Sequence, residues 1–572
     1  MKKLVKFLKG YGKETLLGPL FKLFEATLEL IVPLIIASII DVGIASGDKN
    51  HIAFMCAILV LLGLVGLAFS LTAQYFAAKA SVGFVTQMKR GLYRHLSSLS
   101  YADIDRIGSS TMITRMTADA SKVQTGLNLT LRLLLRSPFV VFGAMIMAFG
   151  IDFESGCRLG QTILYLSIVV FGIMLITMPM YKTVQSGVDK ILSKTRENLS
   201  GVRVIRAFGV EENETGEFKN INSALTKSGI RAGNVSALMN PLTYIIINIG
   251  IIQLINMGAV KVNSGDLTQG QVIALYNYMS QILVELIKLA NLIVSISKAL
   301  ASAGRISSVF EITPSQQFGT RQNGENTDVV LEFESVGINY NGSQESSLQG
   351  ITFSAKRGET IGIIGGTGSG KSTLVNLISR FYDATEGQIK LFGADIKEYS
   401  REAIIEKIGI VPQKAVLFSG TIRENIQWGK NDATDSEIHN AVKLAMAEDV
   451  VQVKGGLDAR IEAGGKNLSG GQRQRLTIAR ALVGNPEILI LDDSASALDY
   501  ATDAALRTSL KSLGEDKCIF IVSQRAASVM HADRIIVLDD GESVGIGKHS
   551  ELINSCDVYR EIYDSQFKKE VS

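Results

Sequence analysis

The chain has 572 residues, of which 47% are apolar, and its 58 Lys and Arg residues against 55 Asp and Glu residues give a net charge of +3. This length is too great for one hydrophobic core and predicts at least two domains. The small, evenly spread charge argues against a nucleic-acid partner, which would require a basic stripe, and four scattered cysteines argue against a disulfide framework or a zinc site.

The first residues, 1–15, form a basic and amphipathic segment. They lack the early apolar run and the small-residue cleavage site of a signal peptide. We therefore expect an interfacial helix ahead of the first membrane span.

Apolar residues are concentrated before residue 310, and they raise the mean hydropathy of the whole chain to +0.23, a high value for a soluble protein. A helix needs about 20 mostly apolar residues to span a membrane. Six stretches approach or exceed this length, at residues 16–44, 52–78, 133–151, 160–181, 240–260 and 272–296. Because soluble cores rarely contain so many helices of this length, the sequence predicts an α-helical transmembrane bundle of six spans.

The connections between the spans differ in positive charge. Residues 79–132 hold eight Lys and Arg residues and residues 182–239 hold nine, whereas the other three connections hold one each. By the positive-inside rule, the two long connections and both termini are predicted to be cytoplasmic. Helical periodicity continues through both connections until Gly and acidic residues interrupt it near residues 101–110 and 208–216. We expect long helical extensions that turn at two cytoplasmic tips.

Polar side chains within the predicted spans should face protein or a water-filled cavity rather than lipid. They are Glu25, Glu29, Gln74, Asn248, Asn256, Asn277, Gln281, Glu285 and Lys288. Those from Asn277 to Lys288 follow helical spacing in the last span. They either line a transport path or join helices by hydrogen bonds, with Glu285 pairing with Lys288.

After the spans, residues 313–328 are polar and lack helical periodicity, which is typical of a linker. Short β-branched runs then alternate with helical stretches, as at residues 359–364, 488–491 and 518–522, and this pattern indicates an α/β domain with a largely parallel sheet. The sequence thus predicts a transmembrane domain at residues 1–312, a linker at 313–328 and an α/β domain at 329–572.

A glycine-rich loop follows the first of these strands and opens a helix. It consists of Gly365, Gly366, Thr367, Gly368, Ser369, Gly370, Lys371 and Ser372, and it matches the G-x-x-x-x-G-K-[ST] pattern of phosphate-binding loops. In such a loop the backbone N–H groups surround phosphate oxygens, Lys371 neutralises the β and γ phosphates, and Ser372 can bind Mg²⁺. The next residue, Thr373, is assigned to the same site. The sequence therefore predicts ATP and Mg²⁺ as ligands.

The apolar strand at residues 488–491 ends in Asp492. A carboxylate at the end of a strand can hold Mg²⁺ through water. Buried strands often end in Asp at a turn, so the assignment of Asp492 to the metal depends on the phosphate-binding loop beside it.

The residues Leu468, Ser469, Gly470, Gly471 and Gln472 spell LSGGQ and are followed by RQRLTIARAL. This is the signature sequence of ATP-binding-cassette (ABC) proteins. With six spans ahead of one nucleotide-binding domain, the whole chain resembles an ABC exporter half-transporter, in particular the degenerate-site subunit of heterodimeric bacterial multidrug exporters. The resemblance implies that two nucleotide-binding domains meet head to tail, so that each ATP lies between one phosphate-binding loop and the signature of the partner.

The resemblance also implies roles for single residues. Tyr340 would stack on adenine, Gln413 would reach Mg²⁺ and the membrane domain, and Asp499 would belong to the loop that faces the partner domain. Each has a structural alternative, as a strand-end aromatic, a loop amide and a helix cap respectively. The two cytoplasmic tips are similar to the coupling helices of the family.

Two positions depart from the family pattern. Asp493 stands where the family usually has the Glu that orients the attacking water, and its side chain is shorter by about 1.5 Å, whereas a general base must lie within about 3.2 Å. Gln524 stands where the family has a His, and a neutral amide can hydrogen-bond the γ-phosphate but cannot exchange a proton. Together, these catalytic-site changes predict a site that binds ATP and hydrolyses it slowly.

The predicted function is ATP-driven efflux of amphipathic small molecules or lipids across the cytoplasmic membrane of a bacterium. The predicted partner is a different half-transporter with the usual Glu and His, whose site this chain's signature completes. The alternatives are a homodimeric exporter and a membrane ATP sensor that transports nothing. An importer is disfavoured because importers generally keep their spans on separate chains.

Overall fold

The computed structural model describes residues 2–340, 346–494, 497–511, 513 and 516–567. The chain divides into two compact units. The first comprises Met1–Ser97 and Ser109–Ile312, and the second comprises Ser98–Gly108 and Thr313–Ser572. The second unit therefore includes a short segment from the first half of the chain.

The first unit is built of helices. In chain order the helices of residues 2–309 are α1 (Lys2–Val5), α2 (Gly12–Ser38), α3 (Lys49–Ser98), α4 (Tyr101–Ile107), α5 (Ser109–Thr114), α6 (Ala120–Leu129), α7 (Arg136–Ile151), α8 (Phe153–Ser200), α9 (Val202–Phe208), α10 (Glu211–Ala237), α11 (Met239–Ser264) and α12 (Gln269–Val309), of which α4 belongs to the second unit. Turns of π-helix at Ile39–Ile44, Arg115–Asp119 and Thr130–Leu134 extend α2 and join α5, α6 and α7.

Six helical stretches among the described residues are long and apolar enough to cross a membrane. They are Gly12–Ile44, Lys49–Ser98, Ser109–Ile151, Phe153–Ser200, Glu211–Ser264 and Gln269–Val309. In Lys49–Ser98, no residue of the most apolar 18-residue window is buried within the chain. Such an apolar, exposed surface requires lipid or a protein partner around it. The prediction of a six-helix transmembrane domain is confirmed.

The amino-terminal segment differs from the predicted interfacial helix. α1 ends at Val5, a 3₁₀ turn covers Lys6–Leu8, and α2 begins at Gly12. Leu4 is buried in an apolar cluster with side chains of α3, and the ring of Phe7 lies 5.6 Å from the ring of Phe310. The segment is broken at Gly10, whose φ of +102° does not continue a helix.

The two tips are short helices. The first tip, α4, starts at a capping box in which Ser100 Oγ accepts a hydrogen bond from the Asp103 backbone N–H. The second is α9, Val202–Phe208, and the break that follows it at Gly209 and Val210 lies within the predicted range 208–216. Gly209, in the left-handed conformation, ends α9, and α10 begins two residues later at Glu211.

The second unit is an α/β domain. Its strands are β1 (Val329–Ile338), β2 (Leu348–Lys356), β3 (Thr360–Gly365), β4 (Glu386–Leu391), β5 (Ala394–Asp395), β6 (Ile408–Val411), β7 (Gly420–Thr421), β8 (Arg460–Ile461), β9 (Ile488–Asp492), β10 (Cys518–Ser523), β11 (Arg534–Asp539) and β12 (Glu542–Gly547). Its remaining helices are α13 (Lys371–Ile378), α14 (Arg401–Lys407), α15 (Ile422–Gln427), α16 (Asp435–Leu444), α17 (Glu448–Lys454), α18 (Gly470–Leu482), α19 (Tyr500–Lys511), α20 (Ala526–Val529), α21 (His549–Ser555) and α22 (Asp557–Phe567).

The main sheet of this unit has the strand order β12-β11-β3-β10-β9-β6 and is parallel from β11 to β6. A second, antiparallel sheet has the order β2-β1-β4-β5. Apolar side chains cover both faces of β3, β9 and β10, as expected for central parallel strands. The carboxyl ends of these three strands lie together at one edge, which is where α/β sheets place their ligands.

Candidate functional site

A cavity of about 450 Å³ lies at this edge of the main sheet. The side chains and backbone that line it are those of Ser346, Ser347, Thr367, Gly368, Gly370, Lys371, Ser372, Thr373, Gln413, Asp492, Asp493, Val522, Ser523, Gln524, Asp540 and Gly541. The structure thus brings the glycine-rich loop together with the strand-end carboxylates and with both glutamines singled out in the sequence.

The glycine-rich loop joins β3 to α13 and depends on glycine at several positions. Gly368 and Gly370 have φ angles of +88° and +95°, a region that residues with a Cβ rarely adopt. A Cβ on Gly365 would lie 2.2 Å from the carbonyl oxygen of Leu538. These glycines let the loop fold tightly over the end of β3, with its backbone at the cavity wall.

Lys371 is the first residue of α13. Its Nζ donates hydrogen bonds to the carbonyl oxygen of Gly365, at 2.9 Å, and to Ser369 Oγ, at 3.3 Å. The pKa of Lys371 lies below its ordinary value, because burial lowers it by more than the nearby carboxylates of Asp492 and Asp493 raise it. The ammonium group therefore lies at the cavity with backbone oxygens as its partners, positioned to exchange them for phosphate oxygens.

Asp492 ends β9, the strand between β6 and β10. Burial, reinforced by the neighbouring charge of Asp493, raises the pKa of Asp492 to about 6, against the opposing effect of Lys371. Asp493 adopts a φ of +45°, and its backbone N–H donates to the carbonyl oxygen of Val522 at 2.9 Å. The left-handed turn at Asp493 thus places two successive carboxylates at one cavity wall.

The two glutamines enter the cavity from separate loops. Gln413 lies two residues beyond β6, and Gln524 directly follows β10. Because β6 and β10 flank β9, the two loops leave the sheet on either side of the strand that ends in Asp492.

Tyr340 does not line this cavity. Its ring packs edge-on against Tyr382, with 5.0 Å between ring centroids. The Tyr382 hydroxyl in turn donates a hydrogen bond to Asp105 of α4. Tyr340 therefore lies in an aromatic cluster that reaches the first tip helix.

The signature residues also lie outside the cavity. Leu468 is buried, and Ser469 caps α18 in a capping box with Gln472. Gly470 and Gly471 lie beside Ala497. In the described part of the chain, none of the five signature residues lines the cavity formed by the glycine-rich loop.

Asp499 acts as a cap for α19. Its carboxylate accepts hydrogen bonds from the backbone N–H and the hydroxyl of Thr502, at 2.9 and 2.8 Å. These bonds lower the pKa of Asp499. Within the single chain, Asp499 therefore acts as the helix cap that the sequence offered as an alternative.

Part of the cavity wall carries no sequence motif. Ser346 and Ser347 precede β2, while Asp540 and Gly541 form the turn between β11 and β12. Gly541 has a φ of +82° and accepts a hydrogen bond from the backbone N–H of Gln349 at 2.9 Å. The Asp-Gly pair between two apolar runs signals such a turn in the sequence, but not its place beside the phosphate-binding loop.

The residues at the cavity fit ATP and Mg²⁺. Ser372, Gln413 and Asp492 would supply oxygen donors, the ligand type that Mg²⁺ prefers. Asp492 and Asp493 are two adjacent acidic groups, and burial together with the charge of Asp493 raises the pKa of Asp492. A bound Mg²⁺ would neutralise charge on these carboxylates and on the phosphates.

A second cavity, of about 350 Å³, lies within the transmembrane unit. Its polar lining consists of Glu29, Asn277, Ser280, Gln281, Glu285 and Lys288, and its apolar lining of Val32, Pro33, Ile36 and Val284. Lys288 Nζ donates to Glu285 at 2.9 Å. The pairing of Glu285 with Lys288 is therefore present, and all four polar residues of the last span line one cavity. That this cavity belongs to a transport path stays a prediction.

Arg136, which the sequence did not single out, organises this cavity. Its guanidinium donates to Glu285 at 2.6 Å and to Glu29 at 2.5 Å, and Ser137 donates to Glu285 at 2.8 Å. The Arg136 side chain is 8% exposed and that of Glu285 is 3% exposed. The ion pairs thus join α2, α7 and α12 inside the unit.

The other polar residues of the spans have different surroundings. Glu25 pairs with Lys22 at 2.6 Å. Gln74, Asn248 and Asn256 are exposed on the surface of the single chain. Asn248 satisfies its amide by donating to the carbonyl oxygen of Tyr244 at 2.8 Å.

Both units match known protein families. Residues 15–286 match the ABC transporter transmembrane region, and residues 348–496 match the ABC transporter family. Along its full length, the chain is 34% identical over 577 residues to YfiB of Bacillus subtilis, an uncharacterized ABC transporter ATP-binding protein, with 100% of each chain covered. The chain belongs to the ABC transporter family. An ABC transporter of this arrangement is a multi-pass membrane protein whose ATP-binding domain implies ATPase activity.

Two further likenesses concern exporters. The transporter is 26% identical over 575 residues to the ATP-dependent lipid A-core flippase of Vibrio vulnificus, with 99% of this chain and 97% of the flippase covered. Its fold is similar to that of a bacterial Atm1-family ABC exporter with ATP bound, with a TM-score of 0.79, 22% identity and coverage of 99% and 98%. The transporter therefore has the fold of an ABC exporter.

Proposed function

We propose that this ABC transporter is one half of an ATP-driven exporter, that it pairs with a different half-transporter, and that its own phosphate-binding loop belongs to a slow ATP site. The exporter would move amphipathic small molecules or lipids across the cytoplasmic membrane. The nucleotide-binding domain and both termini would lie in the cytoplasm, as the positive charge of the two long connections favours.

The observation that carries the proposal is the composition of the cavity. Asp493 and Gln524 both line it, next to Lys371. A shorter carboxylate is poorly placed to orient a water molecule, and an amide cannot supply a proton. The residues at this site are therefore suited to binding ATP, through Lys371 and the loop backbone, more than to hydrolysing it.

The separation of the signature from this cavity supports the need for a partner. Ser469 and Gln472 close a capping box at the start of α18 and leave the N-terminus of that helix available to an anion. Because the signature does not line the cavity of its own chain, its position is compatible with serving a nucleotide held by another chain. An intact signature beside altered catalytic residues favours a partner that has the usual Glu and His.

The first tip gives the nucleotide-binding domain a route for transmitting its motion. α4 is held within the second unit by the ring of Tyr101, which lies 4.7 Å from the ring of Phe381, and by the hydrogen bond between Tyr382 and Asp105. When ATP binding closes two nucleotide-binding domains, α4 would move with its domain and pull on α3 and α5. Access to the membrane cavity would then change from one side to the other.

The membrane cavity supports an amphipathic cargo. It combines apolar walls with acidic Glu29 and Glu285 and basic Lys288, and Arg136 and Lys288 together balance the charge of the two carboxylates. A cavity of this kind suits a molecule with an apolar body and a polar head. The similarity to a lipid A-core flippase agrees with such a cargo.

The experiment is affinity purification of the tagged full-length chain from native membranes, followed by transport into inside-out vesicles. We expect to recover a second half-transporter and to see ATP-dependent accumulation of an amphipathic dye or lipid. Recovery of this polypeptide alone, with transport intact, would support a homodimer. A complex that binds ATP and transports nothing would support a sensor.

A further inference from the structure

The side-chain amide of Gln566, near the end of α22, joins the loop between β10 and α20. Its Nε2 donates to the carbonyl oxygen of Gln524 at 2.8 Å, and its Oε1 accepts from the backbone N–H of Ala526 at 2.8 Å. One amide thus binds the backbone on both sides of Arg525. Gln566 lies 42 residues after Gln524 and 40 residues after Ala526 in the sequence, so the contact joins distant segments.

The loop needs such a contact because α20 lacks a cap of its own. α20 has only four residues, and the side chain of its N-cap residue, Arg525, makes no capping hydrogen bond. The N–H groups of a first helical turn have no partner within the helix. Gln566 supplies one from outside, while Ser523 Oγ accepts from the backbone N–H of Arg525 at 3.0 Å.

The helix that carries Gln566 is itself anchored. Tyr559 of α22 is fully buried, and its hydroxyl lies 2.8 Å from Nδ1 of His549. Ile562 and Tyr563 pack against the apolar cluster that contains Tyr559 and side chains of β3 and β11. The amide of Gln566 is therefore presented to the loop by a fixed element, a condition for precise positioning.

We propose that Gln566 is a positioning residue that fixes the backbone of Gln524, so that the Gln524 side chain faces the phosphate end of the cavity. This inference rests on the proposed role of the cavity in ATP binding. By fixing the carbonyl of Gln524 and the N–H of Ala526, Gln566 restricts the backbone dihedrals on both sides of the loop. α22 thereby sets the geometry of a loop at the cavity, although none of its residues Asp557–Phe567 lines the cavity itself.

The test compares Gln566→Ala, Gln566→Glu and the control Ser565→Ala in the purified full-length chain in lipid nanodiscs. Ser565 is the neighbouring residue on α22, and its hydroxyl bonds to its own helix, at Ile562. In nucleotide-free protein, we expect amide hydrogen exchange at residues 523–529 to rise about tenfold in Gln566→Ala. Gln566→Glu keeps only the acceptor for Ala526, so its exchange rate should lie between those of Gln566→Ala and the unaltered protein. Ser565→Ala should exchange at the rate of the unaltered protein.

The catalytic part of the test uses a double-mutant cycle. We expect Gln566→Ala to lower the rate of ATP hydrolysis about tenfold, with the dissociation constant for ATP changed less than about twofold. If Gln566 acts through Gln524, the same substitution should have no further effect in a Gln524→Ala background.

Unchanged hydrogen exchange in Gln566→Ala, or equal losses in both backgrounds, would overturn the inference while leaving ATP binding intact. Failure of the unaltered chain to bind ATP would instead overturn the proposed function. The exchange measurement in the nucleotide-free protein would still decide whether Gln566 holds the loop.

Discussion

The hydroxyl of Tyr382 donates a hydrogen bond to the carboxylate of Asp105, and so ties the tip helix α4 to the aromatic cluster that contains Tyr340. Burial, together with Asp105, raises the pKa of Tyr382. The substitution Tyr382→Phe keeps the ring and removes this bond. We expect ATP to produce a smaller change in hydrogen exchange at residues 98–108 in Tyr382→Phe than in the unaltered chain, with ATP affinity unchanged. Tyr563→Phe, on the distant α22, is the control, and an equal ATP response in both variants would contradict the coupling role of Tyr382.

Arg136 pairs with two carboxylates of the membrane cavity, and we expect it to contribute more to the stability of the membrane unit than Lys288 does. The substitution Arg136→Ala leaves Glu285 buried and without its main partner, which costs roughly 3 to 5 kcal/mol in comparable buried pairs. Lys288→Ala should cost less than about 1 kcal/mol because Lys288 is 48% exposed. Unfolding in detergent, followed by the loss of helical circular dichroism, measures both changes. Equal losses for the two variants would show that Arg136 is not the organising charge.

Restoring the family residues should speed hydrolysis at this site. In the double variant Asp493→Glu with Gln524→His, the longer carboxylate reaches further into the cavity and the imidazole can exchange a proton. We expect the hydrolysis rate to rise by about 10- to 100-fold, the range typical of a recovered general base. ATP affinity should stay within about twofold, because Lys371 and the loop backbone are unchanged. Asp540→Glu, at the same cavity wall, is the control, and no gain in rate would mean that other residues limit hydrolysis.

The raised pKa of Asp492 predicts a pH-dependent stability. Because its pKa rises from 3.8 to about 6 on folding, Asp492 gives a stabilising contribution below pH 3.8 that is lost as the pH rises through about 6. At pH 7.5 the buried charge is therefore unfavourable, and Asp492→Asn should stabilise the nucleotide-free domain by about 2 kcal/mol after allowance for partial exposure. The advantage should shrink towards pH 5, where the unaltered carboxyl takes up a proton. Thermal unfolding at both pH values measures it, and an advantage independent of pH would contradict this account.

Much of the fold could be predicted from the sequence because it depends on local patterns. The run ILILD gives a buried strand ending in Asp492, and the glycine-rich loop fixes a strand before it and a helix after it. The six spans follow from length and hydropathy alone. The helix break at Gly209 and Val210 lies within the predicted turn at 208–216, but the short helix α9 before it has no signal that separates it from the end of α8.

The rest depends on contacts between distant segments, which no local pattern contains. Arg136 and Glu285 are 149 residues apart, and an Arg at the start of an apolar run gives no indication of its partner. The pairing of Gln566 with the loop after β10 is equally non-local. The wall formed by Ser347 and Gly541 arises because β2 and the β11–β12 turn meet beside the phosphate-binding loop, a matter of sheet order.

The most direct test of the central claim is ATP binding and hydrolysis by the purified full-length chain, without any other half-transporter, in lipid nanodiscs with Mg²⁺. Asp493 and Gln524 predict that the chain binds ATP, that Lys371→Ala abolishes this binding, and that the bound ATP is hydrolysed slowly. Vigorous, vanadate-sensitive hydrolysis by this chain alone would contradict the claim that its phosphate-binding loop belongs to a slow site.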